Sequence, residues 1–381
     1  MSPFNFLECA FNQLLVNPRA TPQEKEDLFD LKFEFEKHYE TKNYFLVPSS
    51  GSAKSENESV KLVALHHDAI MNSAKRVNAH FNLNASMTWG CVIPWFHVGG
   101  LGVHARAFAS KSAVHQSAWD VNQFVSWIVA HQIQLVSLVP AQIYDLVQKK
   151  VEVPKIIKFI FVGGARLNTD LKNKIKLLGW PIVESYGMTE TASMIAIGEP
   201  ENMRLLDDVQ VGLTEGKLKI KCDSLMTCTL QKVNKNTNQK IEIRKLSNTW
   251  YQTEDLAEVS LQGQNVVLKL LGRSTDFIKI NAEGVSLDYL RQLLGLDSRL
   301  ALLAIPNERS EYEIVLAHEI VLVHENANLV LNIVKSFNAQ VRPFEKIQKV
   351  YSIDKIPRSD LQKIQYKKLE EILKEVPYEK I

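Results

Sequence analysis

The residues best suited to chemistry in this chain form one short run at 186–190, Tyr-Gly-Met-Thr-Glu. An aromatic ring can stack on a nucleotide base, and a glycine lets the backbone approach a ligand closely. The hydroxyl of Thr189 and the carboxylate of Glu190 supply oxygen atoms of the kind that bind phosphate and Mg²⁺. The run follows an apolar stretch at 181–183 that predicts a buried strand, and it precedes residues 191–193, which could open a helix. The sequence therefore predicts a nucleotide site here.

Further segments rich in glycine, hydroxyl or basic residues occur before and after this run in a fixed order. They are Ser49-Ser50-Gly51-Ser52 with Lys61, Pro94 to Gly100, Gly163-Gly164-Ala165, Tyr251 to Asp255, Gly272-Arg273 through Gly284, and Pro357-Arg358-Ser359 with Lys363. Each segment alone is weakly specific, whereas the whole series in this order is strongly specific.

Composition sets the outer limits of the interpretation. The chain has 381 residues and a net charge of +2, so we expect two or three domains and no broad nucleic-acid or membrane surface. The start of the sequence lacks a basic region followed by an apolar core, which predicts no signal peptide and a cytoplasmic protein. The four cysteines show no metal-type spacing.

The order of the elements predicts the fold class. From residue 119 to about 205, near-continuous apolar strands alternate with amphipathic helices, a pattern typical of an α/β domain with parallel strands. Shorter strands and turns follow, and beyond 272–276 a smaller unit mixes strands with helices. We therefore place a domain boundary near 272–276.

Individual elements are predicted as follows. Residues 1–45 read as helical with an apolar stripe, residues 49–59 as a mobile loop, and Leu62 to Phe81 as a strand followed by a helix. Asp120 is predicted to cap a helix and Asn168 another. The smaller unit is predicted to include a strand at Ile320 to Val323 and a helix at Asp360 to Leu373. The apolar stripe near the start comprises Leu28, Phe29, Leu31, Phe33 and Phe35.

Taken together, the seven segments resemble the adenylate-forming superfamily of acyl-CoA synthetases, peptide-synthetase adenylation domains and luciferases, over roughly residues 45–370. The resemblance implies a large ATP- and acyl-binding domain at 1–271, shortened at its start, and a small mobile α+β domain at 272–381. It also implies AMP-forming acid–thiol ligation with ATP, Mg²⁺ and coenzyme A. The implied partner is a small carboxylic acid, with no nucleic acid or membrane, in a monomer or homodimer.

The resemblance assigns roles to residues of this sequence. Thr189 is implied to contact the α-phosphate, Glu190 to hold Mg²⁺, and Lys363 to bridge the carboxylate and the α-phosphate in the first step. The residues implied to bind ATP are Ser49, Ser50, Gly51, Ser52, Lys61, Gly163, Gly164, Ala165, Ser185, Tyr186, Gly187, Asp255 and Arg273. The residues implied to bind the acid are His97, Gly99, Gly100 and Arg106. Lys279 and Gly284 are implied to serve the coenzyme A step.

Within the superfamily, the short chain and the spacing from His97 to Arg106 most resemble the o-succinylbenzoate–CoA ligases of menaquinone biosynthesis. Arg106 is one of few charges in an apolar stretch and is predicted to bind the second carboxylate of the acid. Three positions depart from the superfamily pattern: Glu254 and Gln362 replace glycine, and Thr275 replaces aspartate.

The sequence also allows other interpretations. The chain could be another aryl- or acyl-CoA ligase of the same fold, or a nucleotide-binding pseudoenzyme. Among single residues, His97 could be purely structural, Arg106 could lie on the exposed side of its helix, and Lys363 could be a solvated lysine. The 49–59 stretch could be a plain surface loop, and Gly163-Gly164 a plain turn between a strand and a helix.

Overall fold

The computed structural model describes residues 12–40, 43–49, 58–235, 238–246, 249–263, 265–281, 283–295, 297, 299–307, 309–320, 328–360 and 362–381. Most of the predicted loop at 49–59 lies outside these residues, and so do Ser50, Gly51 and Ser52 of the predicted ATP site. The chain divides into two compact units. The larger comprises Met1–Leu167, Leu171–Thr253 and Ala257–Leu270, and the smaller comprises Asn168–Asp170, Glu254–Leu256 and Leu271–Ile381.

The strands that begin in the larger unit are β1 (Gln13–Leu14), β2 (Tyr44–Ser49), β3 (Glu58–His66), β4 (Thr88–Cys91), β5 (Ala113–Gln116), β6 (Leu135–Leu138), β7 (Phe159–Val162), β8 (Ile182–Met188), β9 (Ser193–Glu199), β10 (Asn202–Leu205), β11 (Gln210–Thr214), β12 (Lys217–Lys221), β13 (Cys228–Lys235), β14 (Asn238–Lys245), β15 (Tyr251–Gln262) and β16 (Asn265–Arg273). The helices among them are α1 (Pro22–His38), α2 (His67–His80), α3 (Val98–Ser110), α4 (Phe124–Ala130), α5 (Pro140–Gln148) and α6 (Thr169–Leu177).

The elements of the smaller unit are β17 (Phe277–Ile280), β18 (Glu283–Ser286), α7 (Leu287–Leu294), β19 (Leu300–Asn307), β20 (Glu311–Glu319), α8 (Leu329–Asn338), β21 (Ile347–Ile353), α9 (Tyr366–Leu373) and β22 (Tyr378–Lys380). Short 3₁₀ turns occupy Thr189–Thr191, Ser274–Asp276 and Pro343–Glu345.

A large mixed sheet forms the centre of the larger unit, with strand order β11-β12-β15-β16-β10-β9-β8-β7-β6-β4-β5. Strands β4 to β8 pair in parallel, which confirms the predicted α/β pattern for this part of the sheet. From β9 onward the described pairs of this sheet are antiparallel. Short connections join β8 to β9, β9 to β10 and β11 to β12, as antiparallel neighbours allow, whereas β10 pairs with β16, which lies much later in the chain. Strand β6 is buried throughout, as expected for a strand covered on both faces.

The other sheet of the larger unit has the order β1-β2-β3-β13-β14, and helix α1 packs against it. Thr21 begins α1 with a capping box, in which its hydroxyl accepts from the Glu24 amide and the Glu24 carboxylate accepts from the Thr21 amide. Only three of the five residues of the predicted apolar stripe face the core. Leu28, Leu31 and Phe35 are buried, whereas Phe29 and Phe33 are 58% and 63% exposed.

Several predicted element boundaries are wrong. Residues 191–193 do not open a helix, because the 3₁₀ turn leads directly into β9. Asp120 accepts a bond from the Asn122 amide in a turn, and helix α4 begins only at Phe124. Asn168 does cap its helix, since its side chain accepts from the Asp170 amide at 2.8 Å.

The smaller unit is built on the sheet β19-β20-β21-β22. Alternate residues of β19 face opposite sides of this sheet, so that Leu302 packs with α7 and α8 while Leu303 packs with α9. The predicted helix at Asp360 begins later, at Tyr366, and most of the predicted strand at Ile320 to Val323 lies outside the described residues. Among the described helices of both units, none is long and apolar enough to span a membrane.

Candidate active site

The Thr189–Thr191 turn lies between β8 and β9, and the buried hydroxyl of Thr191 holds it in shape. That hydroxyl accepts from the Met188 amide at 3.1 Å and donates to the Ser193 carbonyl at 2.7 Å. Gly187 leaves no room for a side chain, since a Cβ there would lie 2.0 Å from the Ser193 carbonyl oxygen. The close approach of β8 and β9 therefore requires this glycine and fixes where Thr189 and Glu190 stand.

Glu190 is buried and forms an ion pair in this turn. Lys61 Nζ donates to Glu190 Oε1 at 2.5 Å. Lys61 lies on β3 directly opposite Ser49 on β2. The structure thus brings together three residues that the sequence predicted around the phosphates and the metal ion.

The carboxyl ends of β7 and β8 carry the next group of predicted residues. Ser185 Oγ donates to the Val162 carbonyl at 3.1 Å, and a Cβ on Gly163 would lie 2.8 Å from that Oγ. Gly164 and Ala165 follow and are exposed. Ligands of parallel sheets bind at this edge. Tyr186, the next residue of β8, is half-buried and packs against the core of the larger unit.

Helix α3 begins after His97, which occupies the N-cap position. The His97 amide donates to the Pro94 carbonyl, and its ring lies 4.7 Å from the ring of Phe96. A Cβ on Gly100 would lie 2.4 Å from the Pro94 carbonyl oxygen, so α3 can pack on the preceding loop only with a glycine there. Gly99 is less crowded, with its nearest neighbours in the Ile93 side chain at 3.4 Å.

Arg106 lies on the buried side of α3 and is 2% exposed, so the alternative of an exposed arginine is wrong. Its Nη2 donates to Ser193 Oγ at 2.7 Å, and its Cζ lies 5.8 Å from the Trp89 ring centroid. Its Nε is buried without a hydrogen-bond partner among the described residues. Ser193 in turn follows the Thr189–Thr191 turn by two residues, so Arg106 points toward the same part of the unit.

The charge of Arg106 has no counter-charge in the described part of the chain, because no carboxylate there pairs with it. Burial lowers the pKa of Arg106 to about 10, and the neighbouring Cys91 acts weakly in the opposite direction. The guanidinium therefore stays charged at neutral pH. A buried charge without a counter-charge is costly, and an anionic ligand would remove that cost.

In the smaller unit, Asp255 and Arg273 meet on the neighbouring strands β15 and β16. Arg273 Nε donates to Asp255 Oδ1 at 3.2 Å. Beside them, the Ser274 hydroxyl donates to Glu254 Oε2 at 2.5 Å. Glu254, one of the positions that depart from the superfamily resembled by the sequence, is therefore bonded to Ser274, the first residue after β16.

Lys363 lies on a tight loop that precedes α9. The Ser359 amide donates to the Lys363 carbonyl at 2.8 Å, and the Lys363 amide donates to Ser359 Oγ at 3.2 Å. Gln362 stands at the turn with φ +59°, in the left-handed region where glycine costs least. Desolvation lowers the pKa of Lys363, the positive charge of Arg273 lowers it further, and Asp255 raises it.

Lys279 and Gly284 face each other across the β17–β18 hairpin and are both exposed. A Cβ on Gly284 would meet nothing within 4 Å, so no contact within the described chain requires this glycine. Its role in a coenzyme A step stays a prediction.

Two residues of this arrangement escaped the sequence analysis. Thr191 shapes the turn that presents Glu190, and Ser193 makes the hydrogen bond to the Arg106 side chain. Neither role has a signal in local spacing, because Ser193 and Arg106 are 87 residues apart in sequence.

Known proteins match part of this chain. The family model described as AMP-binding enzyme matches residues 59–224. A curated relative, the 2-succinylbenzoate–CoA ligase of Staphylococcus aureus strain MRSA252, is 25% identical over 214 residues. That match covers 52% of this chain and 41% of the relative, so the chain spans less than half the length of the curated relatives it matches.

Solved structures share the fold. The o-succinylbenzoate CoA synthetase of Bacillus subtilis, in complex with its acyl-adenylate intermediate, superposes with a TM-score of 0.71 at 18% identity, over 86% of this chain and 68% of that one. Wild-type E. coli MenE with a bound m-phenylether-linked analogue of OSB-AMS gives a TM-score of 0.60 at 18% identity, over 87% of this chain and 69% of that one. A segment of this chain is thus similar to AMP-binding enzymes, and its fold is shared with these solved structures.

Proposed function

We propose that this chain is an ATP-dependent, AMP-forming ligase that joins a carboxylic acid to coenzyme A through an acyl-adenylate, and that the acid is o-succinylbenzoate. The observation that carries the proposal is the buried guanidinium of Arg106, which has a serine hydroxyl but no described carboxylate as its partner. O-succinylbenzoate has two carboxylates. One is consumed in the reaction, and the other would pair with Arg106 in a charge-assisted bond.

In the first step, an oxygen of the acid attacks the α-phosphorus of ATP, and the bond from that phosphorus to pyrophosphate breaks. Glu190 and Thr189 supply a carboxylate and a hydroxyl, a donor set that suits Mg²⁺, which is commonly held by one or two carboxylates together with substrate phosphates. Bound Mg²⁺ would neutralise charge on the phosphates. Lys61, which pairs with Glu190, and Ser49, which lies opposite Lys61 on β2, would bind phosphate oxygens.

Lys363 would act in this step as a cation between the carboxylate and the α-phosphate, where negative charge builds up in the transition state. Its tight loop and the hydrogen bonds to Ser359 limit where the amine can go. Asp255 and Arg273, in the same unit, would bind the ribose hydroxyls, since a carboxylate has two acceptor oxygens to match a diol.

In the second step, the thiol of coenzyme A attacks the acyl carbon, AMP leaves with the bonding electron pair, and the thiol proton passes to water. No protein nucleophile is needed. The smaller unit would turn about residues 272–276 and bring the hairpin that carries Lys279 and Gly284 to the thiol. Because no contact within the described chain requires a glycine at Gly284, a close approach by the ligand would account for it.

The test is pyrophosphate release with a panel of acids: o-succinylbenzoate, two analogues that each lack one carboxylate, benzoate and acetate. We expect turnover of o-succinylbenzoate and much weaker turnover of the analogues. Turnover of a different acid alone would favour another ligase of this fold. Nucleotide binding with no pyrophosphate release from any acid would favour a pseudoenzyme.

Arg106→Ala tests the acid-binding role. The KM for o-succinylbenzoate should rise about tenfold or more, since loss of a charge-assisted pair costs on the order of 1.5–3 kcal/mol. The KM for ATP should stay the same. Arg244→Ala, at an arginine whose side chain is 75% exposed, is the matched control. Normal turnover by Arg106→Ala would reject the assignment of the second carboxylate.

Lys363→Ala tests the two-step scheme. The variant should lose adenylate formation and retain thioester formation from synthetic acyl-AMP, because only the first step builds charge on phosphorus. Quench-flow measurement of each half-reaction separates the two. An equal loss in both steps would contradict the role given to Lys363.

A further inference from the structure

Arg291 connects separate parts of the smaller unit. It lies on α7, which is anchored in the core by the buried residues Leu287 and Leu290. From this helix, Arg291 Nη1 donates to Asp276 Oδ1 at 2.8 Å, and Arg291 Nε donates to the Leu302 carbonyl at 3.1 Å. One side chain is therefore bonded both to the turn after β16 and to strand β19.

The same guanidinium stacks on an aromatic ring. Arg291 Cζ lies 3.8 Å from the centroid of the Tyr366 ring. Tyr366 is the first residue of α9 and follows the loop that carries Lys363. A planar guanidinium can stack on a ring and donate in its own plane at once, which a lysine amine cannot do.

The position of helix α7 beside the sheet brings Arg291 near all three partners. Strand β19 is an edge strand in the described sheet, and α7 and α9 pack on opposite faces of it. Arg291 donates to the carbonyl of Leu302 on this edge strand and stacks on Tyr366, the first residue of α9. It is thus a link between the two faces of the sheet.

We propose that Arg291 is a positioning residue for Lys363, because it fastens the Ser274–Asp276 turn to the start of α9. The turn and the Lys363 loop would then move as one body when the smaller unit rotates. This inference rests on the proposed function, in which rotation occurs about residues 272–276 and Lys363 serves only adenylate formation.

The ion pair with Asp276 is partly exposed, with the two side chains 21% and 26% accessible, so its contribution to stability is modest. Catalysis is more sensitive, because a displacement of about 1 Å in a positioned group can cost about a hundredfold in rate. Burial also raises the pKa of Tyr366, so its ring stays neutral beside Asp276.

The experiment compares Arg291→Met and Tyr366→Leu with two matched variants. Tyr366→Phe keeps the stacked ring, and Arg299→Met removes another arginine of this unit, one whose guanidinium pairs with Asp297.

Arg291→Met and Tyr366→Leu should slow adenylate formation by about tenfold or more. They should change thioester formation from synthetic acyl-AMP by less than about threefold. Tyr366→Phe and Arg299→Met should slow neither step appreciably. Equal slowing of both steps, or slowing by Tyr366→Phe as large as by Tyr366→Leu, would overturn the inference.

Hydrogen exchange followed by mass spectrometry gives a second readout that needs no activity. Arg291→Met should speed exchange in peptides covering 357–366 and leave β20 and β21 protected as in the wild type. Unchanged exchange at 357–366 would overturn the link. If the loop loosens while the wild type activates no acid at all, the proposed function fails and the link between the turn and α9 stands.

Discussion

Two buried arginines on neighbouring helices have opposite surroundings. Arg76 on α2 is 7% exposed and Arg106 on α3 is 2% exposed. The Arg76 guanidinium pairs with the carboxylate of Asp223 and donates to Ser224 Oγ at 3.1 Å, whereas the described hydrogen bond of the Arg106 guanidinium is to the Ser193 hydroxyl. A buried charge that is paired within the chain serves the fold. A buried charge that is not so paired indicates a ligand.

Stability should separate these two arginines most clearly. Arg76→Met breaks a buried pair, which costs about 3–5 kcal/mol, and the lower end applies because the Asp223 side chain is 52% exposed. Arg106→Met removes an uncompensated charge and should change the free energy of unfolding by less than about 1 kcal/mol, or stabilise the fold. Urea unfolding followed by tryptophan fluorescence measures this, since all six tryptophans lie in the larger unit. Equal destabilisation by both variants would contradict the claim that only Arg76 stabilises the fold through its charge.

His104, also on α3, shows whether burial next to this helix disfavours a positive charge on other side chains as well. Burial lowers the pKa of His104 to about 4 from 6.5, although its hydrogen bond to Gln116 acts the other way. Because the unfolded chain takes up a proton below pH 6.5 and the folded chain does not, stability should fall between pH 6.5 and 4. At pH 5 the loss should be about 2 kcal/mol. The His104→Gln variant should show a flatter stability profile across this window; a slope equal to that of the wild type would contradict the assignment.

Of these variants, Gly102→Ala should have the smallest effect on stability, and its effect on binding should be confined to the acid. The new Cβ would lie 3.2 Å from Ser193 Oγ and 3.4 Å from Arg106 Nη2. Alanine gains up to about 1 kcal/mol in helix propensity, which should offset the crowding, so the free energy of unfolding should barely change. We expect the KM for o-succinylbenzoate to rise about threefold through displacement of Arg106, since a threefold change corresponds to less than about 1 kcal/mol. A change in the KM for ATP instead would show that Gly102 affects a different ligand.

The sequence predicts the parts of this protein that rest on local pattern. Apolar runs indicated the parallel strands β6 and β7, and the side chain of Asn168 caps α6 as expected. The predicted phosphate residues Ser49 and Lys61 lie opposite each other, and Lys61 pairs with Glu190, the residue predicted to hold Mg²⁺.

Sequence patterns gave wrong or incomplete predictions where residues far apart in the chain determine the local structure or the burial of a side chain. The turn after Glu190 reads as a helix start, yet the bonds of Thr191 to Met188 and Ser193 lead it into a strand. The sequence could not decide whether the Arg106 side chain is buried or exposed, because its hydrogen-bond partner Ser193 lies on a distant strand of the large sheet. Phe29 and Phe33 fall on the exposed side of α1 although they belong to the apolar stripe.

The most direct test of the account is a thermodynamic cycle on acid binding. Calorimetry would measure the affinity of the wild type and of Arg106→Ala for o-succinylbenzoate and for its two single-carboxylate analogues. If Arg106 binds the second carboxylate, one analogue should bind both proteins equally, and the coupling energy between the arginine and the missing carboxylate should be about 2 kcal/mol. A coupling energy near zero with both analogues would contradict the claim that this buried charge pairs with the acid.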